Sequence, residues 1–328
     1  MKRLLIAFLS AFLLWGMLLN PHKIQAAERY PVKPITCIVP VEAGADGDIA
    51  FRPLGEKAST ILGKPVVIVN KPGAGQTIGY LETHSAKPDG YTICWTSSTI
   101  VTSKLLGIIR YDHRDFTPLC RLYTAYPVII ASTKTQRPFK TIQEVILFAK
   151  SHPGEISLAT TATGGPLWIA THVFQQATGL NFNIIPQEGS AGFVITQVVG
   201  GHTDLGVTFF PTAKPQVEAG NIRVLAVIGD ERFSDKYDYI PTLKEIGYPV
   251  SYPSFATMLG PPNMPKPITE KLVQTFELAI KDPAVQKFWL SRYYFPSFLP
   301  PDQLMKFCDQ QKEVYRAVLD KAKLLKEK

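Results

Sequence analysis

The sequence predicts an α/β protein made of two doubly wound lobes joined by two crossover strands. Three observations point there. Short apolar, β-branched runs alternate with segments of helical period, as in a mainly parallel sheet covered by helices. At 328 residues the chain exceeds what one compact core usually holds. The last third reads as helices with no strand block of their own, so they pack back onto the first lobe and the chain crosses between lobes twice. The expected division is 1–26 as a leader, 27–128 with 250–328 as one lobe, and 129–249 as the other.

The leader begins with Lys2 and Arg3, continues through an apolar stretch from Leu4 to Leu19, and ends in Ile24-Gln25-Ala26. A basic start, a short apolar run and a small residue at the end describe a secretory signal peptide cleaved after Ala26. A retained membrane anchor is the alternative, but the run falls short of the roughly 20 residues that span a bilayer. Without residues 1–26 the charge is 32 basic against 27 acidic residues, a modest +5. No dense basic block interleaved with aromatics is present, which argues against nucleic-acid binding. The basic KAKLLKEK end reads as a solvated helix terminus. Cys37, Cys94, Cys120 and Cys308 show neither C-x-x-C nor zinc-like spacing, so no metal and no cofactor are expected. Buried free thiols are the expected state, with Cys37 and Cys94 as the one pair that could bridge.

Ile35–Val39 is the first strand, and Gly47–Leu62 the first helix, closed by Gly63. Pro53 within it predicts a kinked or late start. Strands follow at Pro65–Val69 and Tyr91–Trp95, with the Gly-rich turn NKPGAGQ and a helix between them, and a polar loop at Thr96–Thr99. Leu119–Ser132 is a further strand region. Thr141 and Glu144 form a capping box at the start of the next helix. Ile156–Thr160, Asn183–Pro186, Leu205–Phe209 and Arg223–Ile228 read as strands; Leu167–Thr178 and Phe193–Val199 read as helices. The crossovers fall near Ala125–Ala131 and Tyr248–Ala256. From Ile240 the chain is turn-rich and extended, and then helical over Ile268–Lys281, Pro283–Leu290 and from Pro301 to about Leu325.

The chain contains no nucleophile elbow, no H-E-x-x-H and no Walker loop, and its six histidines are scattered. His172 reads as a packed histidine rather than a base. Gly73-Ala74-Gly75 has the wrong glycine spacing for a dinucleotide loop and reads as a structural turn. The segments Val41–Asp48, Thr96–Thr99 and Thr160–Pro166 each follow a strand, where ligands of doubly wound sheets bind. Two of them lead into helix N-termini, which leave backbone N–H groups for an anion. The pair describes a clamp, although Thr and Asp also occur at such positions as plain helix caps. An exported enzyme with Asp48 as base is the other class of reading. An Asp at a helix start has a lowered pKa and makes a poor base, which favours a receptor.

The ordered set YPVKPITCIVP (30–40), Asp48-x-x-x-Arg52, NKPGAGQTIG (70–79), PDGYTI (88–93), YDHRDFTPL (111–119), AGNIRVLAV (219–227) and IPTLKEIGYP (240–249) resembles the Bug-type solute-binding proteins of tripartite tricarboxylate transporters. The resemblance covers nearly the whole mature chain. It implies a fold like class II periplasmic binding proteins, a small carboxylate as ligand, a periplasmic location and a monomer serving the membrane subunits of a secondary transporter. A role as an orphan sensor for a signalling receptor fits the same residues. The ligand would lie between Val41, Glu42, Ala43, Gly44, Ala45, Asp46, Gly47 and Asp48 on one side and Thr160, Thr161, Thr163, Gly164 and Gly165 on the other. Ser97, Ser98, Thr99 and Phe209 would contribute as well. The chain departs from the family pattern in having Ala45 after Gly44, Glu42 in place of a small or apolar residue, Trp168 in place of His, and Pro186-Gln187-Glu188-Gly189. Added acids near an anion pocket disfavour a polycarboxylate. A monocarboxylate, or a ligand with a cationic or aromatic part, is therefore expected, with Trp168 or Phe209 as a stacking surface. The alternative is that both glutamates face solvent and Trp168 is core.

Overall fold

The computed structural model describes residues 30–187 and 191–327; the leader, Glu188 and Gly189 lie outside them. In chain order the strands are β1 (Ile35–Val39), β2 (Val66–Asn70), β3 (Thr92–Ser97), β4 (Thr117–Ala125), β5 (Pro127–Ser132), β6 (Ser157–Thr161), β7 (Asn183–Gln187), β8 (Leu205–Phe209), β9 (Ile222–Val227), β10 (Ser254–Gly260) and β11 (Phe295–Leu299). The helices are α1 (Asp46–Leu62), α2 (Thr77–His84), α3 (Thr99–Leu105), α4 (Ile142–Ser151), α5 (Pro166–Thr178), α6 (Ala191–Val199), α7 (Phe210–Glu218), α8 (Lys266–Ile280), α9 (Pro283–Ser291) and α10 (Pro301–Lys321).

Two sheets result, one per lobe, with strand orders β11-β4-β10-β3-β1-β2 and β7-β6-β8-β5-β9. Each contains a parallel trio with its first strand in the middle, β2-β1-β3 in one and β7-β6-β8 in the other. Beside each trio lies one antiparallel strand, β10 against β3 and β5 against β8. These two are the strands the chain enters as it arrives from the opposite lobe. A chain that crosses at the carboxyl edge of the parallel strands can only run back down the sheet, hence the reversed direction. That edge is where open α/β sheets bind ligands, and here the two edges face each other.

The apolar runs are buried as the alternation predicted: Ile35, Cys37, Val39, Ile93 and Met258 are all inaccessible and pack on Phe51, Leu54 and Phe276. Trp289 of α9 is fully buried against the same layer and donates from Nε1 to the Ala50 carbonyl at 2.7 Å. Helices α8 and α9 thus cover the first sheet, to which the last third also contributes β10 and β11. All four cysteines are free and buried, and burial pushes the Cys94 thiol up to about 12.

Several elements differ from expectation. Helix α1 begins at Asp46 and runs through Pro53 to Leu62, with Gly63 closing it in the left-handed region. Strand β3 continues through Ser97 and α3 starts at Thr99, so Thr96–Thr99 is a strand end and a helix start rather than a loop. The region Leu119–Ser132 splits into two strands in different sheets, with only Tyr126 between them. Strand β11 lies in the stretch between Leu290 and Pro301, for which the sequence predicts no element. It carries Pro296 and lies at the edge of its sheet, where a missing N–H is tolerated.

Candidate functional site

A cavity of about 290 Å³ opens between the two sheet edges and is lined by residues of both lobes. The first lobe contributes Pro40, Val41, Glu42 and Ala45–Gly47 from the β1–α1 turn, Pro72–Gln76, the strand ends Trp95, Ser97 and Ala125, and Thr102, Ser103 and Leu106. The second lobe contributes Thr161–Leu167, Ala191 and Phe209. Among the described residues Lys, Arg and His are absent from this lining, and its carboxylic acids are Glu42 and Asp46.

Both α1 and α5 start at the cavity, with Ala45 and Gly165 at their N-cap positions and no capping side chain at either. Their first-turn N–H groups are therefore open to an acceptor from outside the chain. Gly47 is needed here because a Cβ would sit 2.5 Å from the Trp95 ring. On the first-lobe wall, Gln76 accepts with Oε1 from Tyr80 Oη at 2.7 Å and from Ser97 Oγ and Thr99 Oγ1 at 3.0 Å. This network fixes the amide, and its NH2 donates to no group among the described residues. Trp95 Nε1 and Thr161 Oγ1, both of cavity residues, are buried without a partner.

The lobes touch across the cavity at two points. Thr102 Oγ1 donates to the Gly164 carbonyl at 2.8 Å, with Leu106 packed against Gly164. Gly164 has φ +82°, and a Cβ would fall 2.0 Å from Leu106 Cδ1, so only glycine fits. At the second point Thr212 Oγ1 of α7 donates to Asp46 Oδ2 at 2.5 Å, and Tyr294 Oη donates to Asp46 Oδ1 at 3.2 Å. Burial pushes the Asp46 carboxyl up; the Thr212 and Tyr294 hydrogen bonds and the Arg292 charge act in the opposite direction.

Of the residues singled out in the sequence, Val41, Glu42, Ala45, Asp46, Gly47, Ser97, Thr99, Thr161, Thr163, Gly164, Gly165 and Phe209 line the cavity. Six do not. Asp48 is fully buried and bonded elsewhere: it accepts from the Gly44 N–H at 2.8 Å, from Arg52 Nε and Nη2 at 2.8 and 2.9 Å, and from Asn70 Nδ2 at 3.0 Å. Burial alone would raise its pKa, but these donors hold the carboxyl below its ordinary range. It braces the loop and has no free proton acceptor for base chemistry. Ala43 and Gly44 form the exposed outer side of the same turn. Ser98 is buried beside Tyr252 and Tyr315. Thr160 is buried and accepts from Thr171 Oγ1. Trp168 is 3% exposed and stacks on His172 at 3.6 Å within the core, which removes it as a stacking surface for ligand. Glu42 both lines the cavity and faces solvent, at the rim.

The sequence reading missed the Pro72–Gln76 turn, which it took as purely structural. Ala74 and Gln76 have φ of +46° and +78°, a conformation that non-glycine residues do not announce. It also missed Tyr123 and Tyr294, which reach the cavity from β4 and from just before β11. Tyr123 lies within a region read as strand and Tyr294 in one with no predicted element, so neither carried a local signal for the site.

Two α/β lobes with facing sheet edges, crossed twice by the chain and enclosing one cavity, define a two-lobed solute-binding fold. The chain belongs to the tripartite tricarboxylate transporter family of receptors, whose model matches residues 50–324. It is 31% identical over 288 residues to Protein BugT of Bordetella pertussis, covering 86% of this chain and 87% of that one. A UPF0065 protein of Cupriavidus necator is 30% identical over 318 residues, covering 95% and 94% of the two chains. Among solved structures, the periplasmic binding protein BugD is similar with a TM-score of 0.79 and 27% identity, covering 90% of this chain and 99% of that one.

Proposed function

We propose that this protein is an exported receptor that captures a small carboxylate between its lobes and delivers it to the membrane subunits of a tripartite-type secondary transporter, with no catalytic step. One observation carries the reading: a helix from each lobe opens uncapped onto the same cavity, which offers N–H, amide and hydroxyl donors and no basic side chain. Neutral donors of this kind hold an anion without forming a permanent ion pair, so release to a transporter stays possible. Family membership supports the partnership with a transporter. Among the described residues no helix is long and apolar enough to cross a membrane. Export rests on the leader sequence.

A thermal-shift screen of aliphatic and aromatic carboxylates, with product analysis of the same mixtures, tests the proposal. A ligand at 100 times its Kd stabilises the folded state by about 2.7 kcal/mol, a shift of a few degrees. The expected result is stabilisation by at least one acid that is recovered unchanged. Conversion of that acid would establish an enzyme, and no shift with any acid would remove the carboxylate.

A further inference from the structure

We propose that Asp46 makes this receptor selective for zwitterions, ligands with one carboxylate and an ammonium group at the far end, over dicarboxylates of the same length. The inference rests on the reading above that the cavity takes a carboxylate.

The two ends of the cavity differ in chemistry. The second-lobe end, Thr161–Pro166, presents hydroxyls and the uncapped start of α5 and carries no acid among the described residues. The first-lobe end carries Asp46 in the first turn of α1, with Glu42 at the rim. A dicarboxylate lying between them would bring its second negative group to a carboxylate, in a site with no cation in its lining. Like charges so placed repel strongly. An ammonium group there meets the full negative charges of Asp46 and Glu42, which outweigh the partial positive charge of about half a unit at the start of α1, so in this reading the carboxylate goes to the α5 end.

Asp46 is also short of a partner. No Lys or Arg nitrogen among the described residues lies within ion-pair distance of it, whereas Asp48, two residues on, has Arg52. A carboxylate offers about four acceptor positions. Thr212 and Tyr294 occupy two, leaving room for an ammonium donor. Arg292 acts on Asp46 only from beyond ion-pair distance, so a ligand ammonium can supply the direct partner that half-buried carboxylates ordinarily have. Aromatic rings complete the surroundings: Trp95, Tyr123, Phe209 and Tyr294 all line the cavity and suit an ammonium stem. Because Thr212 belongs to the second lobe and Tyr294 to the first, the carboxyl is held in its reading position only when the lobes are together.

Calorimetric titration of the full mature chain with two matched series tests this: γ-aminobutyrate, butyrate and succinate, then ε-aminocaproate, caproate and adipate. In at least one series the amino acid is expected to bind at least tenfold more tightly than the dicarboxylate. Asp46→Asn, which removes the charge, keeps one acceptor oxygen and puts an NH2 where the other stood for the Thr212 hydroxyl to accept from, should cut zwitterion affinity tenfold or more. It should raise dicarboxylate affinity and change monocarboxylate affinity less than threefold. The wild-type ranking needs no variant to fold, so it decides the matter even if the Asn protein is unstable. Tighter binding of the dicarboxylate by the wild type overturns the proposal and leaves the receptor reading standing. So does an equal loss for all three ligands in Asp46→Asn, which would make Asp46 only a tie between lobes. If no carboxylate binds in these titrations or in the thermal screen, the receptor reading falls, and this inference with it.

Discussion

Asp46 and Asp48 stand two residues apart at one helix start and have opposite environments. Asp48 is saturated by four donors and sits outside the cavity; Asp46 lines it with two donors and no cation within ion-pair distance among the described residues. The role of Asp48 was legible in the sequence, since D-x-x-x-R places the two side chains on one helical face. Assigning it to the ligand mistook a brace for a contact. Asp46 had no such local marker, because its partners Thr212 and Tyr294 are 166 and 248 positions away. Asp112 offers a test at this scale. Burial would raise its pKa, but the Lys312 ammonium at 2.9 Å, the Arg114 N–H at 2.9 Å and the neighbouring charges bring it to about 2. A depressed carboxyl contributes stability that is present above its unfolded pKa and lost as pH falls through the folded one. Wild type should therefore exceed Asp112→Asn by about 1–2 kcal/mol in urea unfolding at neutral pH, with solvent screening allowed for. The gap should close between pH 4 and pH 2. A gap independent of pH would mean that geometry and not charge is responsible.

At the scale of elements, the parallel trios were legible because strands buried on both faces read as continuous β-branched runs. Helix stops at Gly63 and Gly179 were legible for the same kind of local reason, a left-handed residue that favours glycine. What escaped depends on distant pairing. Strand β11 is a Pro-containing edge strand whose register with β4 is broken by a shift between Pro296 and Leu299, so no alternation marks it. The contact between α3 and the start of α5 is likewise invisible locally, yet it brings the lobes together. Gly164→Ala tests it. The added methyl meets Leu106 Cδ1, and φ +82° is unfavourable for Ala; overpacking of this kind costs roughly 1–3 kcal/mol. The clash with Leu106 falls on the closed arrangement, so ligand affinity should drop about fivefold or more by calorimetry, while the backbone strain at φ +82°, roughly 1 kcal/mol, lowers the unfolding midpoint by only about 2 °C. Unaltered affinity would show that the lobes need not meet at Gly164 to hold a ligand.

For the whole molecule, the two-lobed plan followed from length and from the order of the elements, and the structure adds why the plan makes a site. Both crossover strands run antiparallel beside a parallel trio, so the carboxyl edges of β1, β3, β6 and β8 come to face one another. The net charge of the chain says nothing about this interior, whose lining among the described residues holds no basic side chain. On the proposed reading, recognition falls to backbone amides, Gln76 and hydroxyls, with Asp46 discriminating at the far end. A crystal structure with a carboxylate found in the thermal screen tests this most directly. The account predicts the carboxylate within hydrogen-bond distance of the N–H groups at the start of α5, inside the cavity and with both lobes in contact. Density for the acid on an outer face, with the α1 and α5 starts still unliganded, would contradict it.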